Sequence, residues 1–339
     1  MPRRTRPVYP VLAFFFWLVL AVSACRGQGP TRAVGPNDDI SIFTNAGANV
    51  SVTAELRRLF AYPVEVMGKE AAFFVEFAPF QDFRVHRHVK NQVLAVDLSG
   101  DDALARALPD MLAGIADEQL RAREPFLRLV RDYWAVGQTS LFAVAWSEED
   151  LRRLLARADS TGLRREYEDA VVEGLTKTLY SMGEEEALAR QTANHQGWTL
   201  RVLPDFFAAE DAQGHAVKFN AADPVRLILV SWREGEIPLE PAAWEPLLAE
   251  DLWKYNDGDF VLAERSRVYA YPFQDKPALR WEGVWQNEKY VIGGPFRAFA
   301  CHRDGKSFLL VGIVYAPGQD KVPALRQVEA MITTFRTVR

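Results

Sequence analysis

Cysteine and histidine stand side by side once in this chain, as Cys301 and His302 in the stretch ACHRDG. A thiolate activated by an imidazole is a common enzymatic nucleophile, so this pair is the first candidate for chemistry. The dipeptide Asp304–Gly305 follows between two apolar runs and predicts a two-residue hairpin turn. That turn pairs Cys301 with Phe308, and adjacent strand residues such as Cys301 and His302 then face opposite sides of the sheet. We therefore predict a buried, unreactive thiol with a raised pKa at Cys301.

Two further stretches contain residue types that bind metal ions. His86 and His88 are two apart in FRVHRHVKN, which on a strand places both on one face. The neighbouring arginines and lysine would repel a cation, so we interpret this stretch as a solvated or phosphate-facing strand. The stretch YNDGDF, residues 255–260, does not have the ligand positions of an EF-hand loop and is predicted to be a turn. We expect no metal site and no cofactor.

No motif in the sequence specifies a catalytic mechanism. The chain has no Gly-x-Ser-x-Gly elbow, no His-Glu-x-x-His helix, no phosphate-binding glycine loop and no Cys-x-x-Cys pair. Its 45 acidic residues include no pair whose spacing identifies a general acid and a general base. The sequence therefore favours a protein without catalytic residues, and a hydrolase that uses carboxylates is the alternative.

The N-terminus has the pattern of an export signal. Three arginines lie within residues 1–10, and residues 11–24 are nearly all apolar. Fourteen apolar residues are fewer than the about 20 of a membrane-spanning helix and match the core of a signal peptide. The segment ends in VSAC, which resembles the bacterial lipobox and predicts that Cys25 is lipidated with acyl chains such as palmitate. A plain signal peptide cleaved near Ala24 and an uncleaved anchor are the alternatives.

Glycine and proline are frequent in the stretch after Cys25, RGQGPTRAVGPN, which predicts a flexible tether. Arg26 follows the cysteine where aspartate would signal retention in the inner membrane, so the usual sorting pattern indicates the outer membrane, with the protein facing the periplasm. We divide the chain into a lipoprotein signal peptide (1–24), a lipidated cysteine and tether (25–37), an N-terminal half (38–190) and a C-terminal half (191–339).

Apolar periodicity predicts the α+β class for both halves. The runs AAFFVEF, NQVLAVDL, QTSLFAVAW and VRLILVSW are typical of strands. Ser147 can cap a helix over SEEDLRRLLARA, with Asp150 at the capping-box position, and a last helix is expected over 321–335. Strands grouped apart from helices predict largely antiparallel sheets packed against helices. A strand leading into a helix occurs in both halves, which is compatible with two similar α+β halves.

The charge of the chain excludes one class of function. The formal net charge is −5, and loss of the three arginines in residues 1–24 makes it −8. Proteins that bind nucleic acids usually present a basic face, which this acidic chain without a Lys/Arg block does not offer. The expected partners are the lipid bilayer, through the acyl anchor, and an envelope protein.

Several stretches resemble domain-of-unknown-function family 4837, a family of exported lipoproteins from Gram-negative bacteria. The stretches are FRVHRHVKNQVLAVDL (83–98), DYWAVGQTSLF (132–142), RWEGVWQ (280–286), IGGPF (292–296) and VGIVYAPGQDKVPALRQVEAM (311–331). The resemblance implies an envelope lipoprotein and gives no activity, substrate or catalytic residue. Tryptophans are concentrated in the second half, where they are either core residues or part of a ligand surface. The candidate ligand-binding residues are Arg280, Trp281, Trp285, Gly293 and Gly294.

These observations lead to one expectation and two alternatives. The expected function is that of a membrane-anchored periplasmic lipoprotein that binds a ligand or an envelope partner without catalysis. An envelope hydrolase and a structural subunit of an envelope complex are the alternatives.

Overall fold

A computed structural model describes residues 30–47, 49–159, 162–210 and 214–338 of the protein. Cys25 and the expected signal peptide lie outside these ranges. The N-terminal half contains, in chain order, β1 (Asp39–Thr44), α1 (Val50–Phe60), β2 (Pro63–Glu65), β3 (Lys69–Ala71), β4 (Phe74–Phe77), α2 (Phe83–His86), β5 (Asn91–Asp97), α3 (Ala103–Met111), α4 (Asp117–Ala122), β6 (Phe126–Arg131), β7 (Thr139–Ala145), α5 (Glu148–Ala158), α6 (Leu163–Leu179) and α7 (Glu186–Gln196).

The N-terminal half is built on a five-stranded sheet of order β4-β1-β5-β7-β6. Its pairings are parallel except for β6 with β7. Every residue of β5 and of β7 is buried, because α1, α5 and α6 cover one face of the sheet and α3 covers the other. Strands buried on both faces are typical of parallel sheets, and this explains the long apolar runs of their sequences.

The C-terminal half contains more strands and fewer helices. Its elements are β8 (Trp198–Thr199), β9 (Phe207–Glu210), β10 (Ala216–Ala222), β11 (Val225–Glu234), α8 (Pro241–Tyr255), β12 (Phe260–Val261), β13 (Arg267–Phe273), β14 (Lys276–Asn287), β15 (Ile292–Arg303), β16 (Lys306–Tyr315), α9 (Val322–Ile332) and β17 (Arg336–Thr337).

An eight-stranded antiparallel sheet forms the centre of the C-terminal half. Its order is β12-β14-β15-β16-β11-β10-β9, and β13 pairs with β14 beside β12. The helix α9 packs on one face of the sheet and α8 packs on the other. The α+β class and the expected antiparallel sheet are confirmed here. The two halves differ in strand direction, since the sheet of the N-terminal half is mostly parallel.

The hairpin formed by β15 and β16 has the predicted register. Cys301 pairs with Phe308 and His302 with Ser307 across the turn at Asp304–Gly305. The Cys301 side chain is fully buried in the core beneath α9, and burial raises the pKa of its thiol to about 11. The His302 ring lies on the opposite face of the sheet, where its Nε2 is 2.7 Å from the carbonyl oxygen of Ile237. The two side chains therefore do not form a catalytic pair.

Other local predictions are also confirmed. The Ser147 hydroxyl accepts a hydrogen bond from the backbone N–H of Asp150 at 3.1 Å and caps α5. The last helix spans Val322–Ile332 and presents an apolar stripe to the sheet, in which Val328 and Ile332 are fully buried; Phe335 is fully buried just beyond its end. Within the described ranges, no helix has the length and apolar composition that crossing a membrane requires.

The stretch YNDGDF forms the predicted turn after α8, with positive φ angles at Asp257 and Gly258. The Asp259 carboxylate is buried there and accepts a hydrogen bond from Asn287 Nδ2 at 2.8 Å. Burial raises the pKa of Asp259 from 3.8 to about 6, against the opposing effects of that hydrogen bond and of Lys218.

The raised pKa of Asp259 predicts a pH-dependent stability. Because the folded state binds this proton more tightly than the unfolded chain, stability falls as the pH rises from about 4 through about 6. We expect Asp259→Asn to increase the free energy of unfolding by about 1–2 kcal/mol at about pH 8 and to change it little at about pH 4. Urea unfolding at both pH values measures the difference. Asp257→Asn is the control and should not stabilise at either pH, because ion pairing lowers the pKa of Asp257.

Candidate functional site

A cavity of about 1110 Å³ lies between the two halves and is open to solvent. We refer to it as the interhalf cavity. The N-terminal half contributes the β2 strand and the first turns of α6 to its wall, and the C-terminal half contributes β13, β14 and β15. Residues central to its chemistry are Tyr62, Arg165, Glu168, Tyr269, Arg280 and Arg297.

Three arginines are buried at and behind the floor of this cavity. Arg280 on β14, Arg297 on β15 and Arg326 on α9 are 2%, 3% and 1% exposed. The strand register places Arg297 directly opposite Glu282, and Arg280 precedes Glu282 by two residues on the same face. Arginine is almost never buried to this degree without partners, so the surrounding groups must balance the charge.

Glu329 on α9 balances two of the three guanidinium groups. Its Oε1 accepts from Arg280 Nη2 at 2.8 Å, and its Oε2 contacts Arg297 Nη1. The Glu329 side chain is itself only 2% exposed. Helix α9 and strands β14 and β15 are therefore joined by a buried ionic cluster.

Carboxylates from α6 extend this cluster into the N-terminal half. Glu168 Oε1 lies 3.6 Å from Arg326 Nη2, and its Oε2 lies 3.9 Å from Arg297 Nη2. Asp169 Oδ1 lies 3.4 Å from Arg280 Nη1. We call Glu168, Asp169, Glu282, Glu329 and the three arginines the interhalf ion cluster. Because its charges come from both halves, it fixes their relative position as well as the floor of the cavity.

Two carboxylates that line the cavity, Glu168 and Glu282, are held in their ionised form. Burial acts to raise the pKa of Glu168, but Arg297 and Arg326 outweigh it and lower that pKa below its ordinary value. The pKa of Glu282 is lowered in the same way by Arg297 and Arg280. A general acid needs the opposite shift, toward a pKa near the working pH. Asp169 has a raised pKa because it is buried, but it does not line the cavity.

At the mouth of the cavity, Arg165 differs from the arginines of the interhalf ion cluster in how its charge is held. The Arg165 guanidinium stacks over the ring of Tyr269, 4.4 Å from the centroid. The Tyr269 hydroxyl donates to Glu282 at 3.3 Å, which holds the ring in place. Among the described residues, no carboxylate lies within ion-pair distance of Arg165. Its charge is thus positioned by an aromatic ring and remains available to a ligand.

The structure separates the five candidate ligand-binding residues. Of these, Arg280 alone lines the interhalf cavity. Trp281 and Trp285 are buried on the opposite face of the sheet under α8, where Trp285 Nε1 donates to the carbonyl oxygen of Val314 at 3.3 Å. Gly293 and Gly294 allow close packing, since an added Cβ would meet backbone oxygens at 2.6 Å and 2.0 Å respectively.

The histidine pair is not on a strand as predicted. His86 ends the short helix α2, and His88 lies in the turn that follows it. The prediction was wrong because Phe83 anchors this segment by edge-on contact with Phe43 and Trp134, which favours a compact turn over an extended chain. Across the part of the chain that the structure describes, no three His, Cys, Asp or Glu residues are grouped as metal ligands would be.

Much of the interhalf ion cluster lies in one stretch of sequence that contains β13–β16 and α9. Residues 259–334 match the family model described as Domain of unknown function (DUF4837). The expected resemblance is confirmed for this segment. The DUF4837 segment supplies Arg280, Arg297, Arg326 and Glu329, while α6 of the N-terminal half supplies the facing carboxylates.

Comparisons with whole proteins add little. The search of curated proteins gives no match. A structure from Bacteroides thetaiotaomicron VPI-5482 is 13% identical, with a TM-score of 0.28, over 43% of this chain and 46% of that chain, so less than half of that relative is spanned. The Ran-binding protein Mog1p of Saccharomyces cerevisiae is 12% identical over 42% of this chain and 90% of its own, with a TM-score of 0.30. LpqN of Mycobacterium tuberculosis, involved in cell envelope biogenesis, is 14% identical over 42% and 83%, with a TM-score of 0.28. Likeness at this level gives no information on function.

Sequence reasoning missed most of the cluster, although part of its signal was present. Arg326 and Glu329 are three residues apart on a helix whose other residues are apolar except Gln327, and Arg297 interrupts an apolar strand. Charged residues on core-facing positions are rarely tolerated unless they pair with each other. Glu168 gave no such signal, because α6 is rich in charged residues along its whole length.

Proposed function

We propose that the protein is a non-catalytic binding protein of the cell envelope, held at the periplasmic face of the outer membrane by acyl chains on Cys25, and that its ligand or partner occupies the interhalf cavity. The observation that carries the binding function is the cavity itself. Its volume of about 1110 Å³ is slightly above the range of about 300–1,000 Å³ for small-molecule sites, and it lies between two halves, where ligand sites are common.

The lining of the cavity favours binding over catalysis. Glu168 and Glu282 are ionised and paired with arginines, so neither holds the proton that a glycosidase or similar hydrolase would donate. The floor is held by the interhalf ion cluster, which keeps its polar groups at fixed positions before a ligand arrives. Fixed polar groups reduce the entropic cost of binding. An envelope hydrolase is therefore the weaker alternative.

The proposed location depends on the sequence of the N-terminus. A basic start, a short apolar run and the VSAC motif support lipidation at Cys25, and the Gly/Pro-rich tether supports a globular part held near the membrane. In cells fed labelled palmitate, the full chain should incorporate label and sediment with outer membranes. Cys25→Ala should lose both properties. Label on the Cys25→Ala chain, or an unlabelled wild-type chain in the soluble fraction, would contradict the anchor.

Photo-crosslinking in intact cells tests the binding site. A photoreactive residue replaces Val268, which lines the cavity, or Val85, which is 80% exposed on α2 and lies outside it. We expect a discrete adduct from position 268 and none from position 85. The adduct should be absent when purified protein is irradiated alone. Equal labelling from the two positions, or no adduct from position 268, would show that the cavity is not the binding site.

A further inference from the structure

We infer that the ligand of the interhalf cavity is an extended peptide segment that adds as a strand to the free edge of β13 and places an acidic side chain against Arg165. This inference rests on the proposed binding function and names the class of its ligand. It follows from the position of the cavity relative to β13, from the unpaired backbone of that strand, and from the charge at the mouth.

The lining residues show that the cavity runs along strand edges. Successive side chains of a strand point to opposite faces, so a cavity on one face contacts every second residue. The interhalf cavity instead contacts three consecutive residues of β13, Arg267, Val268 and Tyr269. It also contacts all three residues of β2, Pro63–Glu65. A space that borders consecutive residues of two strands lies beside their backbones.

The backbone of β13 is free to accept another strand. In an antiparallel pair, alternate residues direct their N–H and C=O groups away from the partner strand. Within the described ranges, β13 pairs with β14 alone, and the backbone groups of residues 267–272 make no hydrogen bond to a loop or side chain. Pro272 lies in this strand, as is usual for edge strands. Unpaired edges of this kind bind extended peptides by β-augmentation.

The opposite wall limits what fits beside β13. The β2 strand pairs only with β3 among the described strands, so a segment in the cavity would lie between two unpaired edges. The seven residues of β13 offer an edge of roughly 23 Å at about 3.3 Å per residue. The cavity borders Arg267, Val268 and Tyr269 of this edge, so a segment of about five residues, roughly 17 Å long, would pair with β13 there and extend along the rest of the edge.

Charge complementarity selects an acidic side chain in that segment. Within the part of the chain that the structure describes, the arginines that line the cavity have carboxylate partners within 4 Å, with the exception of Arg165. Arg165 lies over Tyr269, a residue of the β13 edge itself, so its charge meets any strand added there. Glu264 also lines the cavity and has no arginine, lysine or aromatic partner among the described residues, but it is exposed on a short turn before β13.

A capped five-residue peptide of alternating threonine and valine with a central glutamate is the probe. Fluorescence anisotropy measures the Kd of this peptide for the purified full chain in detergent, and hydrogen exchange locates the bound peptide. We expect slower amide exchange at residues 267–271 on addition of peptide, with no change in β9, the opposite edge of the sheet. N-methylation of alternate amides in the peptide should weaken binding at least about tenfold, because it removes the main-chain hydrogen bonds of one edge.

The role of Arg165 is tested by removing its charge from the protein or the glutamate charge from the peptide. Arg165→Ala should weaken binding of the glutamate peptide about tenfold and should not change the Kd of a peptide with glutamine in place of the glutamate. Glu264→Ala is the control and should weaken the binding of neither peptide. Binding that tolerates N-methylation, protection of β9 instead of β13, or no binding of the glutamate peptide would overturn the proposal. A lipid or glycan adduct at position 268 in cells would overturn it too, and would leave the proposed binding function standing.

Discussion

Glu329→Ala is expected to destabilise the protein by about 3–5 kcal/mol, a large part of the stability of an ordinary domain. The substitution removes the carboxylate that Arg280 and Arg297 share, and both guanidinium groups are nearly inaccessible to water. Arginine stays protonated in proteins, so neither group can escape the cost by losing its charge. The carboxylates that remain near Arg297 are already shared, because Glu168 also faces Arg326 and Glu282 also faces Arg267 and Arg280. The free energy of unfolding in urea measures the loss.

A matched substitution at an exposed ion pair separates the energetic effect of burial from the effect of losing an ion pair. Glu234 pairs with Lys306 at 2.9 Å, but its side chain is 77% exposed. Glu234→Ala should therefore cost no more than about 1 kcal/mol. The loss of stability caused by Glu329→Gln should lie between those caused by Glu329→Ala and Glu234→Ala, because glutamine keeps the volume and one oxygen acceptor but not the charge. If Glu329→Ala costs no more than Glu234→Ala, the buried Arg280 and Arg297 do not depend on Glu329 for charge balance as described.

The β15–β16 hairpin could be predicted from the sequence, whereas the interhalf ion cluster could not. The register of β15 and β16 was predictable because it depends on a local signal, the Asp304–Gly305 turn between two apolar runs. The same is true of the Ser147 cap and of the apolar stripe on α9, since each involves residues a few positions apart. Such features depend on residues that are close together in the chain, so they can be predicted from the sequence alone.

The cluster could not be assembled in this way. Glu168 and Arg326 are 158 positions apart, and their contact depends on how α6 packs against α9. Apolar residues of the same helices, Val172 and Leu175 against Ala330, set that packing. The parallel order of the N-terminal sheet was missed for a similar reason. Runs such as that of β5 are apolar on both faces, and only the positions of α1, α3 and α5 show that helices cover both.

The match between family and cluster has a physical consequence. The DUF4837 segment carries five of the seven members of the interhalf ion cluster, and the other two, Glu168 and Asp169, come from α6, outside that segment. Three buried arginines against Glu282 and Glu329 alone would leave excess positive charge in a low-dielectric core. The C-terminal half is thus electrostatically completed by the N-terminal half, which is why the cavity between them is a fixed feature.

Gly294→Ala is expected to destabilise the protein by about 3 kcal/mol, through overpacking and not through loss of a ligand. A Cβ built at Gly294 would lie 2.0 Å from the carbonyl oxygen of Val314 and 3.3 Å from Trp285 Nε1. These are the two atoms that form the buried hydrogen bond from the indole of Trp285. The strand must therefore shift, and the hydrogen bond must lengthen or break. Unfolding in urea gives the free energy, and near-ultraviolet circular dichroism reports the surroundings of Trp285.

Gly68→Ala provides the comparison, because a Cβ at Gly68 meets no atom within 4 Å and its backbone is not in the left-handed region. We expect it to leave stability unchanged or to raise it slightly, by restricting the unfolded chain. Comparison of Gly294→Ala with Gly68→Ala also decides whether Gly294 binds a ligand or allows close packing. A ligand-binding glycine would tolerate alanine in the free protein and lose affinity, whereas a packing glycine loses stability without any ligand. An unchanged free energy of unfolding for Gly294→Ala would restore the ligand role and contradict the close approach of β15 to Val314.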